Sequence, residues 1–141
     1  MQYTDTNLTL TENFESCKLE AYQDIKGIWT IAYGHTLLVF PGMTCTQEQA
    51  NQWLAEDVHS AEACVNTNVT FEINQQEFNA LVDFVFNVGN GAFKQSTMLR
   101  LLNQGDIEGA ANEFERWQFA DGKPVAGLLR RRIAEKQEFE S

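Results

Sequence analysis

The chain has 141 residues, of which 43% are hydrophobic, and this length and composition are typical of one globular domain with its own core. Twenty acidic residues against ten basic ones give a net charge of −10, which argues against a nucleic-acid-binding surface because such a surface requires a basic patch. The sequence starts without a basic segment or an apolar run, and no apolar stretch is long enough to span a bilayer. We therefore expect neither a signal peptide nor a transmembrane helix.

The cysteines and the basic residues point to no special chemistry. Cys17, Cys45 and Cys64 are an odd number and none belongs to a CxxC pair, so we expect three reduced thiols, with no metal and no cofactor. A disulfide between Cys45 and Cys64 stays open, because only the fold decides whether they meet. The three adjacent arginines at 130–132 are predicted to form a solvated helix end with acidic neighbours, and a phosphate or glycan contact is the less favoured interpretation.

A short helix and a hairpin are predicted near the N-terminus. Residues 5–16 favour a helix, because Asp5 or Thr6 can cap it and the apolar side chains that follow have helical spacing. Glu15 then lies at or near the C-terminal end of this helix. Residues 27–34 begin with a glycine and continue with β-branched and aromatic residues, which predicts a turn followed by a short strand.

The pattern becomes helical from Thr46 onward. Thr46 and Gln49 form a capping-box type of start, and the apolar stripe that follows contains one anomaly, Asp57. A second helix, beginning at Asn74, is apolar on all sides and is predicted to be the central buried helix. Shorter helices are predicted at 96–103, 106–116 and 126–138. We therefore predict a single domain over residues 1–141 with an α+β, predominantly helical fold, in which a cleft separates a small β lobe from a helical lobe.

Two acidic residues near the hairpin are candidates for glycoside chemistry. Glu15 at a helix end is followed nine residues later by Asp24 in a turn. Glycoside hydrolysis needs one protonated carboxyl group that donates its proton to the leaving oxygen, and a second carboxyl group that is ionised. The spacing alone favours ordinary surface carboxylates, because acidic residues are common in this chain and Glu12 and Glu20 are rival acids.

Several separated motifs resemble the phage-type lysozymes, glycoside hydrolase family 24. The signature of that family is a Glu, eight residues, an Asp, five residues and a Thr, and this chain has Glu15, Asp24 and Thr30 at that spacing. The resemblance covers nearly the whole chain, and its further motifs are Tyr33-Gly34-His35-Thr36, Phe86-Asn87-Val88-Gly89, Gly91-Ala92-Phe93 and Gly127-Leu128 followed by three arginines. It implies a lysozyme-like fold.

The resemblance also implies a role for each signature residue. Glu15 resembles the general acid, Asp24 the group that positions or activates the nucleophilic water, and Thr30 the hydroxyl that helps to hold this water. His35 resembles a structural histidine that pairs with an acid on the long helix, and Asp57 stands at the matching position. Such a pair would explain a carboxylate on an otherwise apolar stripe.

Other positions are implied to line the cleft or depart from the family pattern. Phe86 and Ser96 resemble cleft-lining residues, and Tyr33 could stack on a sugar ring, although core packing is at least as good a role for these aromatic side chains. Ser16 and Ala32 each stand where the family usually has Gly. Neither departure removes a reacting group, but both could shift the cleft.

The activity that the resemblance implies is peptidoglycan hydrolysis during host-cell lysis. The bond cleaved would be the β-1,4 bond between N-acetylmuramic acid and N-acetylglucosamine, with inversion at the anomeric carbon. The resemblance further implies a monomer that stays in the host cytoplasm before lysis and reaches the wall through a holin-type pore, without stable membrane insertion. Two alternatives stay open: a lytic transglycosylase, which would use a single Glu and form anhydro ends, and a non-catalytic glycan-binding module on the same fold.

Overall fold

The computed structural model describes Met1, Thr11 and residues 14–141. The helix predicted over residues 5–16 therefore lies largely outside the described residues. At its C-terminal end, the backbone N–H of Glu15 donates to the carbonyl of Thr11 at 3.0 Å, which is the hydrogen bond of an α-helical turn. Glu15 thus directly follows a helical turn.

The β lobe is built on a hairpin. Strands β1 (Lys18–Gln23) and β2 (Trp29–Ala32) are antiparallel, with Tyr22 opposite Thr30, and the register shifts at a bulge within β1. Gly27 in the connecting turn has a φ of 81°, a left-handed conformation that glycine adopts without a steric cost. The turn and strand predicted over residues 27–34 are therefore present.

Ala32 ends β2 in a conformation that favours glycine. Its φ is 58° and its side chain is fully buried. An L-residue in this region costs about 1–2 kcal/mol, which is a physical reason for the glycine that the resembling family usually has here. The methyl group of Ala32 packs with Ile31 and Ala50 in a small hydrophobic cluster that joins the hairpin to the first long helix.

The rest of the chain is mainly helical. Helix α1 (Gln47–Asn68) begins after Thr46, whose hydroxyl oxygen accepts the backbone N–H of Gln49 at 3.1 Å. The elements that follow are α2 (Gln75–Val88), α3 (Asn90–Lys94), α4 (Thr97–Asn103), α5 (Ile107–Glu113), a 3-10 helix (Phe114–Arg116), the paired short strands β3 (Phe119–Ala120) and β4 (Lys123–Pro124), and α6 (Ala126–Glu140). Within the described part of the chain, none of the helices combines the length and the apolar character that a membrane span needs.

Helix α2 is the central helix, as its apolar pattern predicts. It packs against both α1 and α6, and all residues from 77 to 85 are buried. The ring of Phe84 meets the rings of Phe93, Phe114 and Trp117 edge to face, with centroids 5.4–6.4 Å apart. The predicted α+β, predominantly helical fold class is confirmed, and the shorter helices lie close to their predicted positions.

The arginine cluster at 130–132 corrects one prediction. Arg130 is exposed, but Arg131 and Arg132 are only 4% and 0% exposed. They lie on the face of α6 that packs against α2, where Asp83 and Glu135 pair with them. The expected acidic neighbours are present, whereas the expected solvation is wrong, because three adjacent charges do not show which face of a helix meets the core.

The three cysteines are free thiols. Cys64 is buried in α1, whereas Cys45 precedes that helix and its backbone N–H donates to the carbonyl of Leu19 in β1 at 2.9 Å. Burial and the neighbouring Cys17 raise the pKa of the Cys45 thiol. The pairing left open between Cys45 and Cys64 is therefore not formed, and the near neighbour of Cys45 is Cys17.

We expect the capping box of α2 to contribute measurably to stability. Asn74 accepts the backbone N–H of Glu77 at 2.8 Å, and the Glu77 side chain accepts the backbone N–H of Asn74 at 2.8 Å. Asn74→Ala removes half of this exchange and should lower the free energy of unfolding by about 1 kcal/mol in urea titrations. The exposed Gln76→Ala is the control, with an expected change within about 0.5 kcal/mol. Equal effects of the two substitutions would contradict a capping role.

Candidate active site

The Glu15 carboxyl group lies in a half-buried position between the two lobes. Its Oε1 accepts a hydrogen bond from Nη1 of Arg131 at 2.6 Å, and its side chain is 17% exposed. Oε2 faces the backbone of Gly34, where an added Cβ would come within 2.9 Å of it. Burial raises the pKa of Glu15 more than the charge and hydrogen bond of Arg131 lower it, so the net pKa is raised. This carboxyl group can therefore hold a proton at higher pH than an ordinary glutamate.

Asp24 occupies a different environment, in the turn between β1 and β2. Its Oδ1 accepts the backbone N–H groups of Lys26 at 2.8 Å and Ile28 at 2.9 Å. Among the described residues, none donates a hydrogen bond to Oδ2, so this oxygen is available to a water molecule or a sugar.

Thr30 is held beside this turn by the hairpin register. Its side chain is buried, and its hydroxyl donates to the carbonyl of Ile28 at 2.8 Å. Because the hydroxyl hydrogen is used in this bond, Thr30 can only accept a further hydrogen bond, for example from water.

Tyr22 is a site residue that the motif analysis did not single out. It is opposite Thr30 in the hairpin, and Nζ of Lys18 lies 4.2 Å from the centroid of its ring. Burial raises the pKa of Tyr22, and so do the nearby charges of Glu15 and Asp24. The charges of both carboxyl groups therefore act on the phenol. In the sequence, Tyr22 is only one of the eight residues between Glu15 and Asp24, and this position does not show the contact.

The sequence motifs also do not reveal a buried charge network behind Glu15. Arg131 donates to Asp83 through Nε at 3.0 Å and through Nη2 at 2.8 Å. Burial acts to raise the pKa of Asp83, but hydrogen bonds from Glu135, Arg131 and Thr11, with the charge of Arg131, hold it at about 2. The side chain of Asp83 is fully buried. An acidic residue among the apolar side chains of residues 80–86 was the available sign in the sequence.

His35 and Asp57, predicted to pair, lie in contact across the two lobes. Nδ1 of His35 lies 2.8 Å from Oδ2 of Asp57, and since a carboxylate can only accept, this nitrogen carries the hydrogen. The imidazole also stacks on Trp53 of α1, with centroids 4.6 Å apart and planes inclined by 2°. The pair and the stack fix the segment after β2 against α1.

The predicted cleft-lining residues lie at three different places. Phe86 lines a cavity of about 220 Å³ between the segment after β2, α1 and the end of α2. Tyr33 is half-buried, and its hydroxyl accepts from Nε2 of Gln47 at 3.3 Å. Ser96 borders a second depression of about 340 Å³ and caps α4, where its hydroxyl donates to the carbonyl of Phe93 and accepts the backbone N–H of Leu99.

The described side chains of the site are carboxyl groups, a phenol and an arginine. Across residues 14–141, no three His, Cys, Asp or Glu side chains are grouped so that they could hold a metal ion. A helical lobe and a small hairpin lobe, with acidic side chains at their junction, define the lysozyme-like fold class.

Comparisons with known proteins agree with this class. A family model described as Phage lysozyme matches residues 12–135. The endolysin of Acyrthosiphon pisum secondary endosymbiont phage 1 is 42% identical over 100% of this chain and 99% of its own length. The muramidase domain of SpmX from Asticaccaulis excentricus superposes with a TM-score of 0.88 at 35% identity, covering 99% of this chain and 98% of that one. The endolysin from Escherichia coli O157:H7 phage FAHEc1 has a TM-score of 0.84 at 37% identity, covering 99% and 93%.

The chain therefore belongs to the phage lysozyme family and is a peptidoglycan hydrolase.

We expect the contact between His35 and Asp57 to stabilise the junction of the lobes. Asp57→Ala leaves the N–H of a buried imidazole without its acceptor, which should cost about 1–2 kcal/mol given the partial exposure of Asp57. Thermal melting monitored by circular dichroism measures the loss. Glu56→Ala, an exposed neighbour on the same helix, is the control and should have a much smaller effect. An unchanged melting temperature for the Asp57 variant would contradict a structural role.

Proposed function

We propose that this chain cleaves the β-1,4 bond between N-acetylmuramic acid and N-acetylglucosamine, with Glu15 as the general acid and Asp24 as the group that activates water. The observation that carries the proposal is the difference between the surroundings of the two carboxyl groups. Burial raises the pKa of Glu15, whereas Asp24 accepts two backbone N–H groups in a turn. Two carboxyl groups in opposite protonation states are what glycoside hydrolysis requires.

The geometry of Glu15 suggests which oxygen delivers the proton. Oε1 accepts from Arg131, and a guanidinium donates but cannot accept, so the transferable proton belongs on Oε2. Oε2 faces Gly34, and any side chain there would collide with it. Transfer of this proton to the glycosidic oxygen lets the leaving sugar depart as a neutral alcohol.

Asp24 and Thr30 would act on the opposite face of the sugar. The free Oδ2 of Asp24 would take a proton from water as the water oxygen bonds to the anomeric carbon. The Thr30 oxygen would accept the other hydrogen of this water, because its own hydrogen is bonded to Ile28. Water thereby supplies both the new hydroxyl group and the proton that Asp24 accepts.

The substrate-binding part of the proposal rests mainly on Phe86 and Tyr33. Phe86 lines the cavity beside the junction of the lobes, and the ring of Tyr33 is partly exposed. Aromatic faces of this kind can stack on sugar rings. The hydroxyl group of Ser96 is already used to cap α4, so we assign it no hydrogen bond to the glycan.

The lytic transglycosylase is the alternative enzyme. It would need Glu15 but neither Asp24 nor Thr30, and the presence of both beside an exposed turn favours hydrolysis. Mass spectrometry of the digested glycan separates the two, since anhydro ends are lighter than reducing ends by one water. The non-catalytic binding module would produce neither.

Three features of the biological setting also belong to the proposal. We propose host-cell lysis as the role, a monomer as the active form, and a holin-type pore as the route from the host cytoplasm to the wall. Relatives described as endolysins support the role. Gel filtration tests the monomer, and lysis of expressing cells with and without a pore-forming protein tests the route.

We expect Glu15→Gln to abolish lysis while leaving the fold intact. Glutamine keeps an oxygen that can accept from Arg131 but has no proton to donate, so activity should fall at least about 100-fold. Turbidity loss of permeabilised Gram-negative cells and thermal melting are the measurements. Glu20→Gln is the matched control, because Glu20 is an exposed carboxylate on β1 and should be dispensable. Lysis by a folded Glu15 variant would refute the assignment.

We expect hydrolysis with inversion at the anomeric carbon. Inverting enzymes hold their carboxyl groups roughly 6.5–9.5 Å apart so that a water fits between them and the sugar. Proton NMR of a short glycan substrate during the first turnovers identifies the anomer formed. An initial product with retained configuration would instead indicate a covalent intermediate on Asp24.

A further inference from the structure

Asp83 lies behind the proposed site, on α2, and is fully buried. Its Oδ2 accepts Nε of Arg131 at 3.0 Å, and its Oδ1 accepts Nη2 of Arg131 at 2.8 Å and the Thr11 hydroxyl at 2.7 Å. Two parallel hydrogen bonds fix the plane of a guanidinium group. The direction of the remaining Nη1, which contacts Glu15, is therefore set by Asp83.

The charges around this bridge come from three elements. Arg131, Arg132 and Glu135 lie on α6, Asp83 on α2 and Tyr22 on β1. Burial and a hydrogen bond with Asp83 raise the pKa of Glu135 well above its usual range. Asp83 binds Arg131 through two hydrogen bonds and Glu15 binds Nη1, whereas Oε2 of Glu135 lies farther away, 3.8 Å from Nε.

We propose that Asp83 is a positioning residue for the proton donor: it takes up the charge of Arg131 and so keeps Glu15 in the acid form that the reaction needs. This inference rests on the proposed role of Glu15 as general acid. Arg131 alone would favour the ionised form of Glu15, because a buried cation without a partner is strongly unfavourable. With Asp83 ionised, the pair is already neutral, and Glu15 can keep its proton beside the guanidinium.

These charges predict the direction in which the pKa of Glu15 changes when Asp83 is replaced. The negative charge of Asp83 acts to raise the pKa of Glu15. Removing this charge, while Arg131 keeps its own, therefore lowers the pKa of Glu15. A general acid is lost as pH rises through its pKa, so the alkaline limb of the pH–activity profile should move to lower pH.

The test compares Asp83→Asn with the wild type across about pH 4 to pH 9 on purified peptidoglycan. Because Asp83 raises the pKa of Glu135, its loss makes ionisation of Glu135 easier and could replace the lost charge, so the decisive variant is D83N/E135Q. We expect its alkaline limb to move by roughly one pH unit to lower pH. At pH values above the pKa of Glu15 in both proteins, the variant should be about 10-fold less active than the wild type. Well below both pKa values, it should lose little activity.

Glu135→Gln alone is the matched control. It changes the same buried cluster but leaves Asp83 in place, and Glu135 is not among the groups that shift the pKa of Glu15, so its alkaline limb should stay at the wild-type position. Asp83→Glu, which keeps the charge, should restore the position of the limb. If D83N/E135Q instead loses activity by the same factor at every pH, Asp83 is merely structural and the inference is overturned.

Two further variants separate the remaining outcomes. Glu15→Gln in the same assay tests the general acid itself. If the Glu15→Gln variant is active, the proposed function of Glu15 fails. If that variant is inactive but the alkaline limb of D83N/E135Q is unmoved, only this inference fails. If thermal melting shows that D83N/E135Q is unfolded, Arg131→Lys replaces it. Lysine cannot contact both Asp83 oxygens and Glu15, so the limb should move to higher pH, and an unmoved limb overturns the inference.

Discussion

The buried guanidinium of Arg131 is the interaction on which the site depends. It joins Glu15 and Asp83, which lie 116 and 48 positions away in the sequence. A buried cation is tolerated only when its charge and its hydrogen bonds are satisfied: Asp83 supplies the opposing charge, and Glu15 accepts the hydrogen bond of Nη1. The packing of α6 on α2 thereby determines where the carboxyl group of Glu15 lies.

The two proposed catalytic carboxyl groups have similar chemistry and differ in their surroundings. Glu15 follows a helical turn and its side chain is taken into the junction of the lobes, where desolvation favours the neutral form. Asp24 stays in a turn, where its carboxyl group accepts two backbone N–H groups. The junction between a helix end and a hairpin therefore places one acid in a buried site and the other in a turn, and the described residues include no group of side chains that could hold a metal ion.

The position of Asp24 and Thr30 depends on how the hairpin is attached to the helical lobe. It is held by the buried cluster of Ile31, Ala32 and Ala50, by the contact of His35 with Asp57 and Trp53, and by the hydrogen bond from Gln47 to Tyr33, among other contacts. The left-handed backbone at Ala32 lies within this attachment. These contacts fix the β lobe relative to the helical lobe, so the two walls of a groove that admits a polymer can belong to different lobes.

Local features of this protein were determined by the sequence itself. The helix starts at Thr46 and Asn74, the turn at Gly27 and the central place of α2 depend on residues within a few positions of one another, and each is where the pattern indicates. The candidate acids Glu15 and Asp24 could be named from their spacing together with the family resemblance, because a motif records residue types and distances along the chain.

Only the tertiary structure decided which charges are buried and what they contact. The sequence predicted that Arg131 and Arg132 are solvated, whereas in the fold both are buried and pair with Asp83 and Glu135. The involvement of Asp83 and Tyr22 was not foreseen for the same reason. Burial and charge pairing depend on side chains brought together from α2, α6 and β1, and no periodicity within one segment contains that information.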